Sequence, residues 1–178
     1  MRLLVRILLG LALILIAFSA LVATQPAAFK IARTATIAAP PGKVFAAVND
    51  FHNWQAWSPW MALDPNAKST FEGPAAGPGA KFAWSGNDKI GEGRMEIKDS
   101  KPGDHVLIKL DFIRPMQGTS DTEFTFKPSG SGTDVTWSMT GEDGFVGKAA
   151  RYFMNLDKMV GGDFERGLAK LKAVAEAK

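Results

Sequence analysis

The sequence predicts an α+β protein in which a curved antiparallel sheet of about six or seven strands packs against one long C-terminal helix, with one apolar helix at the N-terminus. Three observations predict this fold class. Residues 67–140 alternate apolar and polar side chains, with turn residues between the alternating stretches. Residues 145–175 instead repeat apolar side chains at spacings of three and four. Residues 7–23 carry no charge.

Composition excludes several kinds of chemistry. The chain of 178 residues has room for one ordinary domain and a short addition. It has no cysteine, which excludes disulfides, a thiol nucleophile, a zinc finger and an iron–sulfur site. Its 2 histidines are too few for a histidine-rich metal site, so we expect no metal and no cofactor. The formal charge of +3 owes two units to Arg2 and Arg6, so the chain lacks the basic patch typical of nucleic-acid binding.

The N-terminal segment, residues 1–29, is expected to be a single-pass membrane anchor followed by a short tether. Residues 3–23 are apolar apart from Arg6, and about 20 apolar residues in a helix span a bilayer core of roughly 30 Å. A cleaved signal peptide is the alternative, although Leu21 stands where a cleavage site needs a small residue. The basic residues before the span favour a cytoplasmic N-terminus. They therefore place residues 30–178 on the periplasmic side of a bacterial cytoplasmic membrane.

Residues 30–178 are expected to form one domain. A first strand at 29–38 ends at two prolines, which can begin a short helix because proline is tolerated in a first turn. A second short helix is expected within 51–61, after which the apolar period changes to two. Further strands are expected at 68–72, 81–85, 93–98, 105–112, 121–127 and 134–140.

The last segment is expected to be one amphipathic helix of about 30 residues, running from Phe145 to Ala175. Gly161 and Gly162 fall in its middle, cost about 1–2 kcal/mol relative to alanine, and predict a kink or a close approach to another element. The sheet has one apolar face, and this helix is the only predicted element long enough to cover it. We therefore expect the helix to lie across the sheet, with space between the two.

Two stretches resemble a known family. The first combines IAAPPGKVF at 37–45 with NDFHNWQAWSPW at 49–60, and the second is GDFERGLAKLK at 162–172. Over residues 30–178 the chain resembles the polyketide cyclase/dehydrase-like branch of the SRPBCC superfamily, which includes START and birch-pollen-allergen-like proteins. The resemblance implies a helix-grip fold whose hollow interior binds apolar or amphipathic small molecules. It supplies no catalytic residue to carry over.

The side chains expected to line this interior are aromatic or aliphatic. Three tryptophans recur at a spacing of three, the strand residues point inward by parity, and the others lie on or beside the apolar stripe of the terminal helix. Ordinary core packing is the alternative for each of them. The expected ligand-binding residues are Trp54, Trp57, Trp60, Phe82, Trp84, Leu110, Phe112, Phe124, Trp137, Tyr152, Phe153 and Leu156.

Three functions stay open at this point. The first is a membrane-tethered domain that binds a hydrophobic or lipid-like small molecule. The second is an aromatase or cyclase acting on a polyketide-like substrate, for which His52, Arg114 and Tyr152 are the only plausible acid or base. The third is a cell-envelope interaction module with a filled interior and no ligand. The first is favoured because nucleotide-binding, serine-hydrolase and zinc-protease motifs are missing and Asp111 and Glu123 point outward by parity.

Overall fold

The computed structural model describes residues 2–177. Their contacts form two compact units, one made of residues 2–29 and 142–155, the other of residues 30–141 and 156–177. Residues 142–155 thus group with the N-terminal segment. The predicted division of the chain into 1–29 and 30–178 stays a prediction about folding units.

The larger unit holds a seven-stranded antiparallel sheet and the long C-terminal helix, which confirms the expected fold class. The helices of the chain are α1 (Arg2–Ala23), α2 (Pro41–Asn49), α3 (Phe145–Ala150) and α4 (Leu156–Glu176), with short 3-10 helices at Phe51–Ala56 and Met61–Leu63. The strands are β1 (Ala28–Ile37), β2 (Lys68–Glu72), β3 (Lys81–Ser85), β4 (Glu92–Lys101), β5 (His105–Arg114), β6 (Gly118–Ser129) and β7 (Gly132–Glu142). Their order across the sheet is β1-β7-β6-β5-β4-β3-β2.

Strand β4 is irregular at two places, and both irregularities contribute to the curvature of the sheet. Its register against β5 shifts between Glu92 and Gly93 and again between Ile97 and Asp99. An extra residue in one strand bends it and increases its twist. The inner face of the sheet is therefore concave, and its alternate residues form the apolar side that the sequence pattern predicts.

Helix α4 covers the inner face with one stripe of small and apolar side chains. Buried residues recur along it at spacings of three and four, which is the period of an amphipathic helix. At its C-terminal end the Lys172 ammonium donates to the Thr36 carbonyl at 2.8 Å, and the Glu176 carboxylate accepts from the Ala38 amide at 2.6 Å. These bonds fix α4 to the end of β1. The buried stripe consists of Gly161, Phe164, Gly167, Leu168, Leu171 and Ala175.

The expected single helix over 145–175 is wrong in its continuity, because it is divided into α3 and α4. Tyr152 and Phe153 lie in the connecting turn and belong to the smaller unit. Asparagine is favoured at helix N-caps, and Asn155 directly precedes the first residue of α4. The apolar spacing continues through the turn, so periodicity alone does not reveal the break.

Gly161 lies inside α4 and makes the close approach that its sequence position predicted. A Cβ at this position would collide with the Arg33 guanidinium group. Arg33 donates to the Asp157 carboxylate at 2.9 Å and to Glu165 at 2.7 Å, so one β1 side chain joins two turns of α4. These hydrogen bonds raise the pKa of Arg33 and lower the pKa of Asp157.

Two glycines of α4, Gly167 within the buried stripe and Gly162 outside it, give a first prediction. A Cβ at Gly167 would lie 2.6 Å from Trp137 Cζ3 and 3.1 Å from Pro59 Cδ, whereas a Cβ at Gly162 would meet only Arg166 at 3.7 Å. Gly167→Ala should lower the free energy of unfolding by about 1–3 kcal/mol through overpacking. Gly162→Ala, its matched control, should raise it by about 0.5–1 kcal/mol through helix propensity. Urea unfolding of the full chain in detergent measures both, and equal effects would contradict the tight contact at Gly167.

The Arg33–Asp157 pair predicts a pH dependence. Because the pKa of Asp157 is lowered in the folded protein, the pair stabilises the fold above the ordinary carboxyl pKa and loses this effect as the pH falls through the lowered value. Asp157→Asn should therefore be less stable than the wild type near neutral pH, and the difference should shrink as the pH falls below about 4, the ordinary carboxyl pKa, and vanish below the lowered pKa of Asp157.

Unfolding curves of both proteins across this pH range test the prediction. Asp88→Asn is the control, since Asp88 is fully exposed, and it should leave the profile unchanged. A stability difference for Asp157→Asn that persists unaltered at low pH would contradict the assignment.

Candidate functional site

The centre of the concave face is filled by an aromatic core, made of Trp54, Trp57, Phe124, Trp137 and Phe164. Trp137 of β7 stacks on Phe164 of α4 with ring centroids 4.1 Å apart and planes inclined by 8°. Trp137 also stacks on Phe124 of β6, with ring centroids 4.7 Å apart. All five side chains are at most 2% exposed. The sheet and α4 are therefore in direct contact at this level.

Two tryptophans of the aromatic core are oriented by hydrogen bonds to α2. The Trp54 indole N–H donates to the Val48 carbonyl at 2.9 Å, and the Trp57 N–H donates to the Ala47 carbonyl at 3.1 Å. Carbonyls at the end of a helix have no partner within it, so each bond satisfies two polar groups together. The helix end thus holds both rings over the sheet.

The larger unit also contains buried polar atoms that lack a partner. Among residues 2–177, the Trp137 Nε1, Ser58 Oγ and Asn49 Oδ1 atoms of this unit are buried without a hydrogen-bond partner. An unpaired buried donor or acceptor costs about 1–3 kcal/mol. A polar group brought to any of these atoms would gain a hydrogen bond without breaking another.

Towards one end of the concave face the packing becomes looser. Phe124 of β6 is 0% exposed, whereas Phe112 of the neighbouring strand β5 is 38% exposed. Leu110 and Trp84 are half-buried, and Trp84 contacts Phe112 edge-on at 6.5 Å. We call this region, formed by Trp84, Leu110, Phe112, Gly118 and Ser120, the apolar opening.

Small residues create the apolar opening. Gly118 pairs with Phe112 and Ser120 pairs with Leu110 across β5 and β6, so each pair shares the inner face. A Cβ added at Gly118 would meet nothing within 4 Å. Apolar surface here is thus exposed beside unfilled space. Sequence reasoning missed Gly118 and Ser120 because it sought large apolar side chains, although both follow the same alternation as Phe124.

The predicted ligand-binding residues fall into three groups. Half-buried or exposed side chains at or near the edge of the packed interior are the half-buried Trp60, Trp84, Leu110 and Leu156 and the exposed Phe112. Side chains within the packed interior are Trp54, Trp57, Phe82, Phe124 and Trp137. Tyr152 and Phe153 lie in the smaller unit, where both contact Phe18 of α1. Ligand contact stays a prediction for all twelve.

The three residues considered for acid–base chemistry have separate surroundings. His52 Nδ1 lies 2.7 Å from Asp50 Oδ1, as their proximity in sequence suggested, but the imidazole is 52% exposed and stacks on Phe71. Arg114 lies 3.8 Å from Glu92 on the surface. Tyr152 belongs to the smaller unit. Their geometry defines no shared reaction centre within the larger unit.

The outer face of the sheet carries a groove of about 390 Å³ lined by charged side chains. The Thr119 hydroxyl and the Arg94 guanidinium group lower the pKa of Asp111 by hydrogen bonding to it. The Lys98 ammonium lowers the pKa of Glu96 in the same way. These groups pair with one another, as on a solvated face, so this groove is chemically unlike the apolar opening.

The described part of the chain contains no cluster of side chains that could bind a metal ion. Within residues 2–177, no three histidine, cysteine, aspartate or glutamate side chains are grouped so as to hold a metal ion. The buried polar side chains of that part are hydroxyl groups, on Ser58, Ser120, Thr122 and Thr133. The interior therefore offers hydrogen bonds and apolar area to a ligand.

The curved sheet and the long helix across it define a helix-grip protein. A family profile described as polyketide cyclase/dehydrase and lipid transport matches residues 28–176. The chain belongs to this family, as its sequence resemblance indicated. A comparison with curated proteins found no match.

Solved structures share the fold at low sequence identity. Protein CV1439 from Chromobacterium violaceum is 17% identical with a TM-score of 0.60, covering 86% of this chain and 100% of that one. Aha1 from Colwellia psychrerythraea, solved as a dimer, is 16% identical with a TM-score of 0.60, over 83% and 96% of the two chains. The di-domain ARO/CYC protein BexL is 16% identical with a TM-score of 0.61, over 88% of this chain and 53% of its own. These likenesses describe architecture only.

Two phenylalanines on neighbouring strands test the distinction between core and opening. Phe124→Ala should lower the free energy of unfolding by about 3–5 kcal/mol, because it leaves a cavity among packed rings. Phe112→Ala should cost less than about 1.5 kcal/mol, because its ring is already partly in water. Urea unfolding followed by tryptophan fluorescence measures both variants. Equal costs would show that Phe112 belongs to the packed core.

Proposed function

We propose that this protein is a membrane-tethered binding domain for a hydrophobic or lipid-like small molecule, which it holds at the apolar opening. The observation that carries the proposal is the loosening of the concave face, where Phe112 is partly exposed beside the free space at Gly118. Exposed apolar surface in a concave place is characteristic of ligand sites. The direct contact between Trp137 and Phe164 fills the middle of the concave face, which supports a site at this end rather than across the middle of the helix.

The binding energy in this proposal comes from apolar area. Burying about 300 Å² of ligand surface at 25 cal/mol per Å² contributes roughly 7 kcal/mol before the costs of association. The hydroxyl of Ser120 adds a polar atom at the edge of this surface, which suits an amphipathic molecule. The family description includes lipid transport, which is consistent with such a ligand. Cyclisation would need a positioned acid or base, whereas the buried polar residues within 2–177 are the serines and threonines Ser58, Ser120, Thr122 and Thr133.

The tether in this proposal is α1. Among residues 2–177, it is the helix whose length and composition allow it to cross a bilayer, with a mean hydropathy of 2.6 over its most apolar window. Its 22 residues extend over about 33 Å at 1.5 Å per residue, which matches a bilayer core. The two arginines in the N-terminal part of α1 favour a single pass through the cytoplasmic membrane, with the binding domain on the extracytoplasmic side.

Blocking the apolar opening tests the binding function. Gly118→Leu should place a side chain in the free space and weaken loading of a palmitic acid probe by about tenfold, equivalent to 1.4 kcal/mol. Gly42→Leu is the matched control, since Gly42 on α2 is also a glycine whose Cβ would meet nothing within 4 Å. Native mass spectrometry of the full chain gives the loaded fraction. Equal loading of the two variants, or a wild type that takes up no probe, would overturn the proposal.

A further inference from the structure

The segment of residues 145–154, which we call the α3 segment, exposes an unusual amount of apolar surface. Phe145 is 50% exposed, Val146 68%, Tyr152 41%, Phe153 80% and Met154 43%. Scattered single apolar residues on a surface are ordinary, but five exposed apolar side chains within ten residues form a concentration that is typical of interaction sites. The patch belongs entirely to the smaller unit.

The α3 segment is packed beside α1. Phe18 of α1 contacts the Tyr152 ring edge-on at 5.7 Å and the Phe153 ring at 6.0 Å. Phe18 precedes Ala23, the last residue of α1, by five positions. At 1.5 Å per residue, the contact lies about 7.5 Å before the end of the helix. If α1 crosses a bilayer up to its last turn, Tyr152 and Phe153 therefore lie at a depth within the bilayer and not in the water beyond the helix end.

The backbone of the α3 segment suits an environment without water. The amide N–H groups of residues 151–154 donate to the carbonyls of Gly147, Ala149 and Ala150, although these residues follow the end of α3. Backbone groups in contact with lipid must be satisfied internally, since each unsatisfied group costs several kcal/mol there. The amide groups of this turn meet that condition through local hydrogen bonds.

The charged side chains of the α3 segment point to the end of α1. The Lys148 ammonium donates to the Ala23 carbonyl at 3.2 Å and to the Gln25 carbonyl at 3.3 Å. Arg151 donates to the Pro26 carbonyl and forms an ion pair with Asp143 at 3.0 Å. Cations are favourable at a helix C-terminus, and basic residues are also favourable at a lipid headgroup layer. The segment thus has its basic side chains beside the C-terminal end of α1 and its aromatic side chains beside Phe18, further along α1 towards the N-terminus.

We propose that the α3 segment is an interfacial membrane anchor, inserted beside α1 into the boundary between lipid headgroups and acyl chains. Its occupant is the bilayer itself, and the inference rests on the membrane tether of the proposed function. Amphipathic segments with aromatic residues on one side and basic residues on the other bury their apolar side about 5–10 Å into this boundary. The depth of Phe18 along α1 agrees with that range.

The absence of cysteine makes a direct depth measurement possible. Phe153→Cys and Val146→Cys each supply a single thiol for an environment-sensitive NBD fluorophore in the full chain. The protein is reconstituted in phosphatidylcholine–phosphatidylglycerol vesicles carrying doxyl spin labels either near the headgroup or near the acyl-chain end. Both fluorophores should lose most of their emission to the shallow spin label and less to the deep one.

Two further positions serve as controls. Leu13→Cys lies in the middle of α1 and should be quenched mainly by the deep spin label if α1 spans the bilayer. Val174→Cys lies on α4 in the larger unit, has an exposure of 38%, and should be accessible to aqueous iodide. Lipid quenching at position 174 would show that the fluorophore enters the bilayer without being carried there by the protein segment.

The outcomes separate the two proposals. Quenching at Leu13 together with aqueous access at positions 146 and 153 would overturn the interfacial anchor and leave the tether intact. Shielding of positions 146 and 153 from both lipid and iodide would also overturn it, because a protein surface would then cover the patch. Absence of lipid quenching at Leu13 would instead refute the tether, and the inference with it.

Discussion

The fold of the larger unit depends on the stacking of Trp137 on Phe164. This contact joins the sheet to α4, and it needs the missing side chain of Gly167 to bring the helix backbone down to the indole ring. Offset or parallel ring pairs contribute about 0.5–1.5 kcal/mol beyond the area that they bury. Because Phe124 of the sheet also stacks on this indole, the single side chain of Trp137 contacts both the sheet core and α4.

The sizes of the inward-facing side chains explain how one curved surface can be densely packed at its centre and open at one end. Where large rings face each other, the layers are filled, and where Gly118 and Ser120 replace them, the same curved surface is left partly uncovered. Dense packing supplies a rigid frame, and the small residues supply space. The family fold thus needs no dedicated binding loop to create a concave apolar surface, since side-chain volume along the strands is sufficient.

The elements were more predictable from the sequence than the site. Alternation at a period of two places the strands well, because one face of an antiparallel sheet is wet and the other is dry. The break between α3 and α4 was missed, since Tyr152 and Phe153 continue the apolar spacing while facing a different neighbour. The division of aromatic residues into packed and exposed ones could not be predicted either. It depends on which glycine lies opposite which ring, as Gly118 lies opposite Phe112, and such pairing is a property of the register.

The position of β1 has a consequence for biosynthesis. Its Thr34 hydroxyl bonds to Thr136 of β7, 102 residues later in the chain, and Arg33 reaches Glu165 of α4, 132 residues later. A ribosome adds about 5–20 residues per second, so the first strand waits for several seconds before its neighbour exists. During this interval its hydrogen-bonding edges are free to pair with other chains. A nascent chain of this topology therefore completes its sheet only after nearly all of it has been synthesised, and chaperones that shield extended segments would act on β1 first.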